Sequence, residues 1–349
     1  MLGLASTSAF AGIVANHQAV EQFDQIPDYY IQEVKKMLVN IPGESHGRGY
    51  LYGVEQVAQQ HPTFAASTRF SGAPEEYTDQ HLRVHRPVWF DAGWGNRWIP
   101  SAGEAMIWTS DSAIAQINNN FAYSANTLGN NIDAFLWGWC WDMGGTTPTG
   151  TVLDTEHHVH WGGRHYVEDL GNQGVWGLDD EDTQQLGAMV SMDDYLRAID
   201  KYNTDNPNTT AVFTTGPADY NGERGYAVFL KNQHIRNHVA QSDDKVLFDY
   251  ADILAHDTDG NQNTTTWIDA AFNDSHTYEY MVRDYRVEWD GGEGSGHISQ
   301  EASVRLGKAL WWMLARISGW DGVAADKVST PTLTPAPGSY NDSVTITIT

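Results

Sequence analysis

Lys36-Met37-Leu38-Val39-Asn40-Ile41-Pro42-Gly43-Glu44-Ser45-His46-Gly47 is an apolar run that stops at a glycine-flanked serine, and a helical pattern, Tyr50–Gln60, follows it. Short apolar run, sharp turn, amphipathic stretch is the order of strand, turn and helix. A serine hydroxyl is a weak nucleophile near neutral pH. Chemistry at such a residue needs it held clear of the sheet, beside a base and beside N–H donors for a developing oxyanion. Gly43 and Gly47 supply the tight turn that would hold it there.

Working outward, four more apolar segments resemble the first: Val88–Asp91, Ala134–Cys140, Ala211–Thr215 and Val246–Ile253. Helical patterns lie between or after them, at Ser112–Leu128, Met192–Tyr202, Phe229–Ser242 and Gln300–Ser318. Apolar strands alternating with helices predict an α/β fold, a three-layer α/β/α sandwich around a five-stranded, mainly parallel sheet. In such sheets ligands sit at the carboxyl ends of the strands, at a topological switch point. Gly43–Gly47, Asp91–Gly95, Gly138–Asp142 and Gly216–Asp219 all fall at predicted strand ends. The insert Gly144–Gly187, rich in Gly, His and Asp, is long for a loop and is expected to wall a site.

Twenty Lys and Arg against 45 Asp and Glu give the 349-residue chain a formal charge of −25, which repels nucleic acid and anionic membrane surfaces. No apolar run approaches the roughly 18–20 residues that span a bilayer, so membrane insertion is not expected. Cys140 is the single cysteine, which excludes an internal disulfide and a cysteine-built zinc site. Residues 1–12 are small and apolar and carry Ala9-Phe10-Ala11, which reads as the remnant of a secretory signal and a secreted or periplasmic location. The main domain is read as 13–325. A Pro/Thr linker, 326–339, then leads to the alternating Ser343-Val344-Thr345-Ile346-Thr347-Ile348-Thr349. Residues 340–349 resemble the opening of a β-sandwich module of the kind appended to secreted carbohydrate-active enzymes.

Gly43-Glu44-Ser45-His46-Gly47 satisfies G-x-S-x-G, the elbow of α/β-hydrolases, but that elbow follows several strands and this one follows the first. The segment more closely resembles the first block of SGNH (GDSL-type) hydrolases, with Glu44 where that family has Asp. The family carries its histidine just before the final helix, and Gly296-His297-Ile298-Ser299 stands directly before Gln300–Trp312. The resemblance implies a flavodoxin-like sheet and a serine esterase in which His297 takes the proton of Ser45 and returns it to the leaving alcohol. It implies no cofactor and no metal. The acid three residues before the histidine is replaced by Gly294, leaving Glu293 or Asp290 to orient His297, or a Ser–His dyad, or a remote carboxylate. The family's Gly-x-Asn-Asp block is altered to Gly138-Trp139-Cys140-Trp141-Asp142, so oxyanion donors are sought in the backbone of Ser45, the Gly93–Gly95 turn and Gly138.

Eight of the fourteen tryptophans cluster near predicted strand ends: Trp89, Trp94, Trp98, Trp137, Trp139, Trp141, Trp161 and Trp176. They suit either packing or stacking on sugar rings. His46, Trp94, Trp139, Trp141, Asp142 and His160 are the candidate substrate contacts. Trp311 and Trp312 fall inside a helical pattern and read as core. In Asp154-Thr155-Glu156-His157-His158-Val159-His160-Trp161-Gly162-Gly163-Arg164-His165, His158 and His160 would share a strand face, a spacing that zinc sites use. Leu178–Asp182 reads as a solvated acidic turn or a calcium loop. Three functions follow: a serine esterase removing an acyl group, acetyl first, from a carbohydrate or other acylated small molecule; a non-catalytic carbohydrate-binding domain on a decayed hydrolase fold; and a metal-dependent hydrolase using His157–His165.

Overall fold

A computed structural model describes residues 12–43, 45–86, 111–127, 129–139, 143, 152–162, 165–167, 172–174, 176–185, 190–287, 297–323, 333–334 and 347–348. Seven strands form the central sheet: β1 (Ile13–Ala15), β2 (Leu38–Asn40), β3 (Ala66–Arg69), β4 (Leu82–His85), β5 (Ala134–Leu136), β10 (Thr210–Thr214) and β11 (Val246–Phe248). Between β5 and β10 lie four short strands, β6 (His165–Val167), β7 (Asn172–Gly174), β8 (Trp176–Gly177) and β9 (Val190–Ser191). The order across the sheet is β1-β11-β10-β5-β2-β4-β3, and every pairing in it is parallel.

Side chains along these strands alternate between two cores, as a pleated strand buried on both faces requires. Val39, Ala134, Leu136, Val212, Val246 and Phe248 belong to one cluster, and Leu38, Phe135, Ala211, Phe213 and Leu247 to the other. Five helices supply the first: α1 (His17–Glu21), α2 (Asp28–Lys35), α3 (Ser45–Gln60), α8 (Tyr250–Ala255) and α9 (Gln300–Ile317). The second is closed by α4 (Asp111–Thr127), α6 (Met192–Asp205) and α7 (Gly222–Val239), while the short α5 (Asp180–Gln185) lies in the insert. Trp311 and Trp312 are buried in α9, as their helical spacing predicts.

The sheet has seven strands where five were expected. Four expected segments overlap β2, β5, β10 and β11, although Tyr250–Ile253 of the last belongs to α8, and Val88–Asp91 lies outside the described residues. The additional strands have no strong apolar signature. β1 is three residues long, β3 is Ala-Ser-Thr-Arg at the sheet edge, and β4 carries Arg83 and His85. Arg83 can be buried there because its guanidinium donates to Asn130 Oδ1 and to the Lys36 carbonyl, each at 2.7 Å. The α7 helix starts seven residues before the predicted Phe229. Gly225 lies inside this helix, and only glycine fits there, since a Cβ would meet the Tyr220 carbonyl oxygen at 2.0 Å.

A two-stranded antiparallel hairpin, β12 (Thr264–Asp269) and β13 (Asp274–Glu279), packs on α7. In the tail, Leu333–Thr334 and Thr347–Ile348 pair antiparallel as β14 and β15, so the last strand finds a partner within the Pro/Thr segment. No helix among the described residues is long and apolar enough to cross a membrane.

Candidate active site

From β2 the chain crosses to the edge strand β3 and returns to β4, and from β5 it winds the other way through β10 and β11. The switch point therefore lies between β2 and β5, where parallel sheets bind ligands. Both strand ends at this point carry glycine. Gly43 and Gly138 extend the ladder as a parallel bridge, and Gly43 adopts φ 134°, a region that favours glycine. A Cβ on Gly43 would stand 2.3 Å from the Gly138 oxygen, and one on Gly138 would stand 2.6 Å from Gly47 Cα. The glycines thus let the turn after β2 close against the end of β5. Arg86, buried just beyond β4, donates Nε–H to the Gly43 carbonyl at 3.0 Å and fixes that peptide.

Ser45 is the first residue of α3, where four backbone N–H groups have no acceptor within the helix and the helix dipole favours negative charge. His46 follows and is buried. Its ring centroid is 5.0 Å from that of His297, a residue 251 positions later in the sequence, and 6.3 Å from that of Tyr250. Two features bring His297 to this place. Its carbonyl accepts from the Val287 N–H at 3.3 Å, and the neighbouring Ile298 bridges Arg286, which anchors the segment before α9. The α9 helix itself crosses α3 at a glycine pair: a Cβ on Gly53 would lie 1.9 Å from the Ser303 oxygen, and one on Gly307 would lie 2.4 Å from Gly53 carbon. Backbones in contact at that crossing bring the starts of the two helices together.

His297 has φ 67°, the left-handed region that a branched or bulky residue seldom occupies, and strain of that kind concentrates at functional sites. Burial, with the Arg48 guanidinium adding repulsion, holds its pKa below the usual 6.5. His46 is pushed down to about 3, first by burial and then by His297. Both rings are accordingly neutral at pH 7, and a neutral imidazole is the form that accepts a proton.

Several expected contacts are corrected. Gly138 is not an oxyanion donor, because its N–H is already given to the Pro42 carbonyl at 2.9 Å; its part is to permit close approach. Trp139 is not a surface for a sugar. It is 2% exposed within the second core and donates Nε1–H to the Thr214 carbonyl at 2.9 Å. Trp137, Trp161 and Trp176 are buried as well. Gly93, Gly95, Trp94, Trp141, Asp142, Asp290 and Glu293 lie outside the described residues. Arg86 and the Gly53–Gly307 crossing were not anticipated. An isolated glycine inside each of two helical patterns was the available signal for the crossing.

The chain matches no protein-family model and has no significant similarity to a curated protein.

The histidine-rich insert is organised as separate contacts. His157 donates to Asp154 at 2.8 Å, His158 stacks on Phe272 with centroids 3.8 Å apart, and His160 donates to Glu223 of α7 at 2.7 Å. Asp154 and Asp182 both accept from Trp161 Nε1, at 3.1 and 2.8 Å, and Asp182 also accepts from the Leu178 and Asp179 N–H groups. These bonds make Leu178–Asp182 a satisfied turn that opens α5. Lys231 fastens the insert to α7. Fully buried, it donates to the Met143 and Gly162 carbonyls, each at 2.7 Å, and burial lowers its pKa to about 7.

Proposed function

We propose that the chain is a serine hydrolase of SGNH type that removes an acyl group, acetyl first, from a carbohydrate ester, with Ser45 as nucleophile and His297 as general base. The observation that carries this reading is the 5.0 Å approach of the His297 ring to the ring of His46, the neighbour of Ser45, at the sheet's switch point. Two segments at opposite ends of the domain, each read from sequence as half of one catalytic unit, meet there. The flavodoxin-like, three-layer arrangement belongs to the same reading.

The chemistry follows from the local electrostatics. Neutral His297 accepts the Ser45 proton as the oxygen attacks the acyl carbon, and the N–H groups of the first turn of α3 face the oxyanion that forms. His297 then returns the proton to the departing alcohol, and water repeats the cycle on the acyl-enzyme. Arg48 disfavours the imidazolium, and we assign Glu293 or Asp290 to orient and stabilise it, a Ser–His dyad or a remote carboxylate being the alternatives. The carbohydrate substrate and export from the cytoplasm rest on the resemblance, the apolar opening residues and the β-rich tail. The tryptophans contribute less to it than their number suggests, since four of the strand-end group are core.

A fluorophosphonate probe tests the reading directly. Wild-type chain should be labelled once, and Ser45→Ala should not be labelled. A folded wild type that takes up no probe, while binding acetylated oligosaccharide without turnover, would leave a carbohydrate-binding domain instead. Hydrolysis that survives Ser45→Ala and disappears with chelator would assign the chemistry to a metal.

A further inference from the structure

Beyond the switch point, three ligand-type side chains converge at the outer rim of the same sheet edge. His17 stands two residues after the edge strand β1. Asp252 lies within α8, directly after β11, and His256 follows the end of that helix. The His17 N–H and Nδ1–H both donate to Asp252 Oδ1, at 2.8 and 2.6 Å. His256 Nδ1–H donates to the Asp252 carbonyl at 2.8 Å and lies 3.5 Å from Asp252 Oδ2. The two rings stack with centroids 3.7 Å apart and planes 17° from parallel. One ligand atom from each of the three residues lies within 4.8 Å of the other two.

From this geometry we infer a binding site for a divalent transition-metal ion, built from His17, Asp252 and His256, that ties β1 and α1 to α8. Two imidazoles and one carboxylate suit zinc, cobalt or nickel and are a poor set for calcium or magnesium, which take oxygen ligands. Ligand atoms around a tetrahedral zinc ion at about 2.0–2.1 Å from the metal stand roughly 3.3 Å apart. Each pair of side chains must therefore close by no more than about 1.5 Å. His17 and Asp252 are 18% exposed and His256 is 10% exposed, which leaves the rings room to turn out of their stack and an open fourth position for water. Coordination by His17 Nδ1 replaces its hydrogen bond to Asp252, and the ring keeps its proton on Nε2. The elements joined gain from such a tie: β1 is three residues long, pairs with β11 alone, and is followed by a five-residue helix.

The site is independent of the Ser45 reading, and its test has a separate readout. Full-length chain stripped with chelator and dialysed is titrated calorimetrically with Zn2+ and, in parallel, with Ca2+. One equivalent of Zn2+ should bind, with no Ca2+ heat, and saturation should raise Tm by about 5 °C. Co2+ should give the visible absorption of a low-symmetry N/O site. His17→Gln and His256→Gln should each abolish the Tm shift while the metal-free variants keep wild-type circular dichroism. Asp252→Asn, which keeps an acceptor for the His17 N–H, serves if His256→Gln does not fold, and it should weaken binding at least tenfold. Wild type that binds no Zn2+, or a His17→Gln/His256→Gln chain that binds it with unchanged affinity and Tm shift, overturns the site and assigns any uptake to the other histidines.

Discussion

The two ends of one sheet edge are built on opposite principles. At the junction of β2 and β5 the backbones of Gly43, Gly47 and Gly138 touch, and the side chains above them are imidazoles that burial keeps neutral. At the ends of β10 and β11 the interior is ionic. Arg236 of α7 donates to both oxygens of Asp249, at 2.6 and 2.7 Å, and to both oxygens of Glu279, at 3.0 and 2.9 Å. Asp249 also accepts from Thr215 Oγ at 2.9 Å and from the Asp252 N–H at 3.2 Å, the latter at the start of α8. Burial raises the Glu279 carboxyl above its usual range, against the pull of Arg236. The ionic end is saturated with partners and holds α7, α8, the hairpin and two strands in register. At the neutral end two buried rings stand beside a helix N-terminus. Charge compensation fixes the geometry at one end, and burial keeps the imidazoles uncharged at the other.

Four experiments would break or sharpen that contrast. The largest effect should come from Ser45→Ala and His297→Gln, each lowering kcat/KM on an aryl acetate by about 10³-fold or more. Arg236→Met, measured where the chain remains folded, should leave kcat/KM within a few-fold, and equal losses at the two ends would erase the distinction. The same Arg236→Met should lower unfolding free energy by about 3–5 kcal/mol in urea, because Asp249 and Glu279 are left buried without their counter-charge. Gly138→Ala should cost about 2–4 kcal/mol by forcing β5 away from Gly47, and it should reduce activity beyond what its stability loss predicts. A neutral result would mean the strand ends are not in contact.

The remaining effects are with pH. His46 has a native pKa of about 3 against 6.5 unfolded, so the unfolded chain takes up its proton first. Stability should fall as pH drops from 6.5 towards 3, by up to about 1.4 kcal/mol per pH unit from this group. His46→Gln should flatten that limb of the urea-midpoint profile. In activity, the lowered pKa of His297 predicts a plateau of kcat/KM at neutral pH and an acid limb with its midpoint below 6.5. A midpoint at or above 6.5 would mean that the carboxylate assigned to the ring outweighs burial and Arg48.

Much of the frame was legible in the chain. The runs around Leu38–Asn40, Ala134–Leu136, Thr210–Thr214 and Val246–Phe248 are short and largely apolar on both faces, as strands covered on both sides are. The start of α9 at Gln300 was legible, and Ser299 before it accepts from the Ala302 N–H at 3.3 Å; α3 begins at Ser45, five residues before the expected Tyr50. β1, β3 and β4 escaped because an edge strand needs little hydrophobicity and because Arg83 is neutralised by partners remote in sequence. The tryptophans misled for a related reason. An indole is both a flat platform and a large apolar filler, and composition alone does not separate the two.

By itself the sequence determined the parallel α/β layering, through the period of its apolar residues. It also determined that Ser45 lies between an apolar strand and a helix and that His297 precedes the last helix. Both are local properties, set within one or two turns of chain. The tertiary structure decided which of these termini meet. The glycine crossing of α3 and α9 and the Gly43–Gly138 closure are contacts between backbones, and a missing side chain shows its partner only once both chains are in place. The His17–Asp252–His256 cluster is of the same kind, since residues 235 positions apart become neighbours only because β1 pairs with β11.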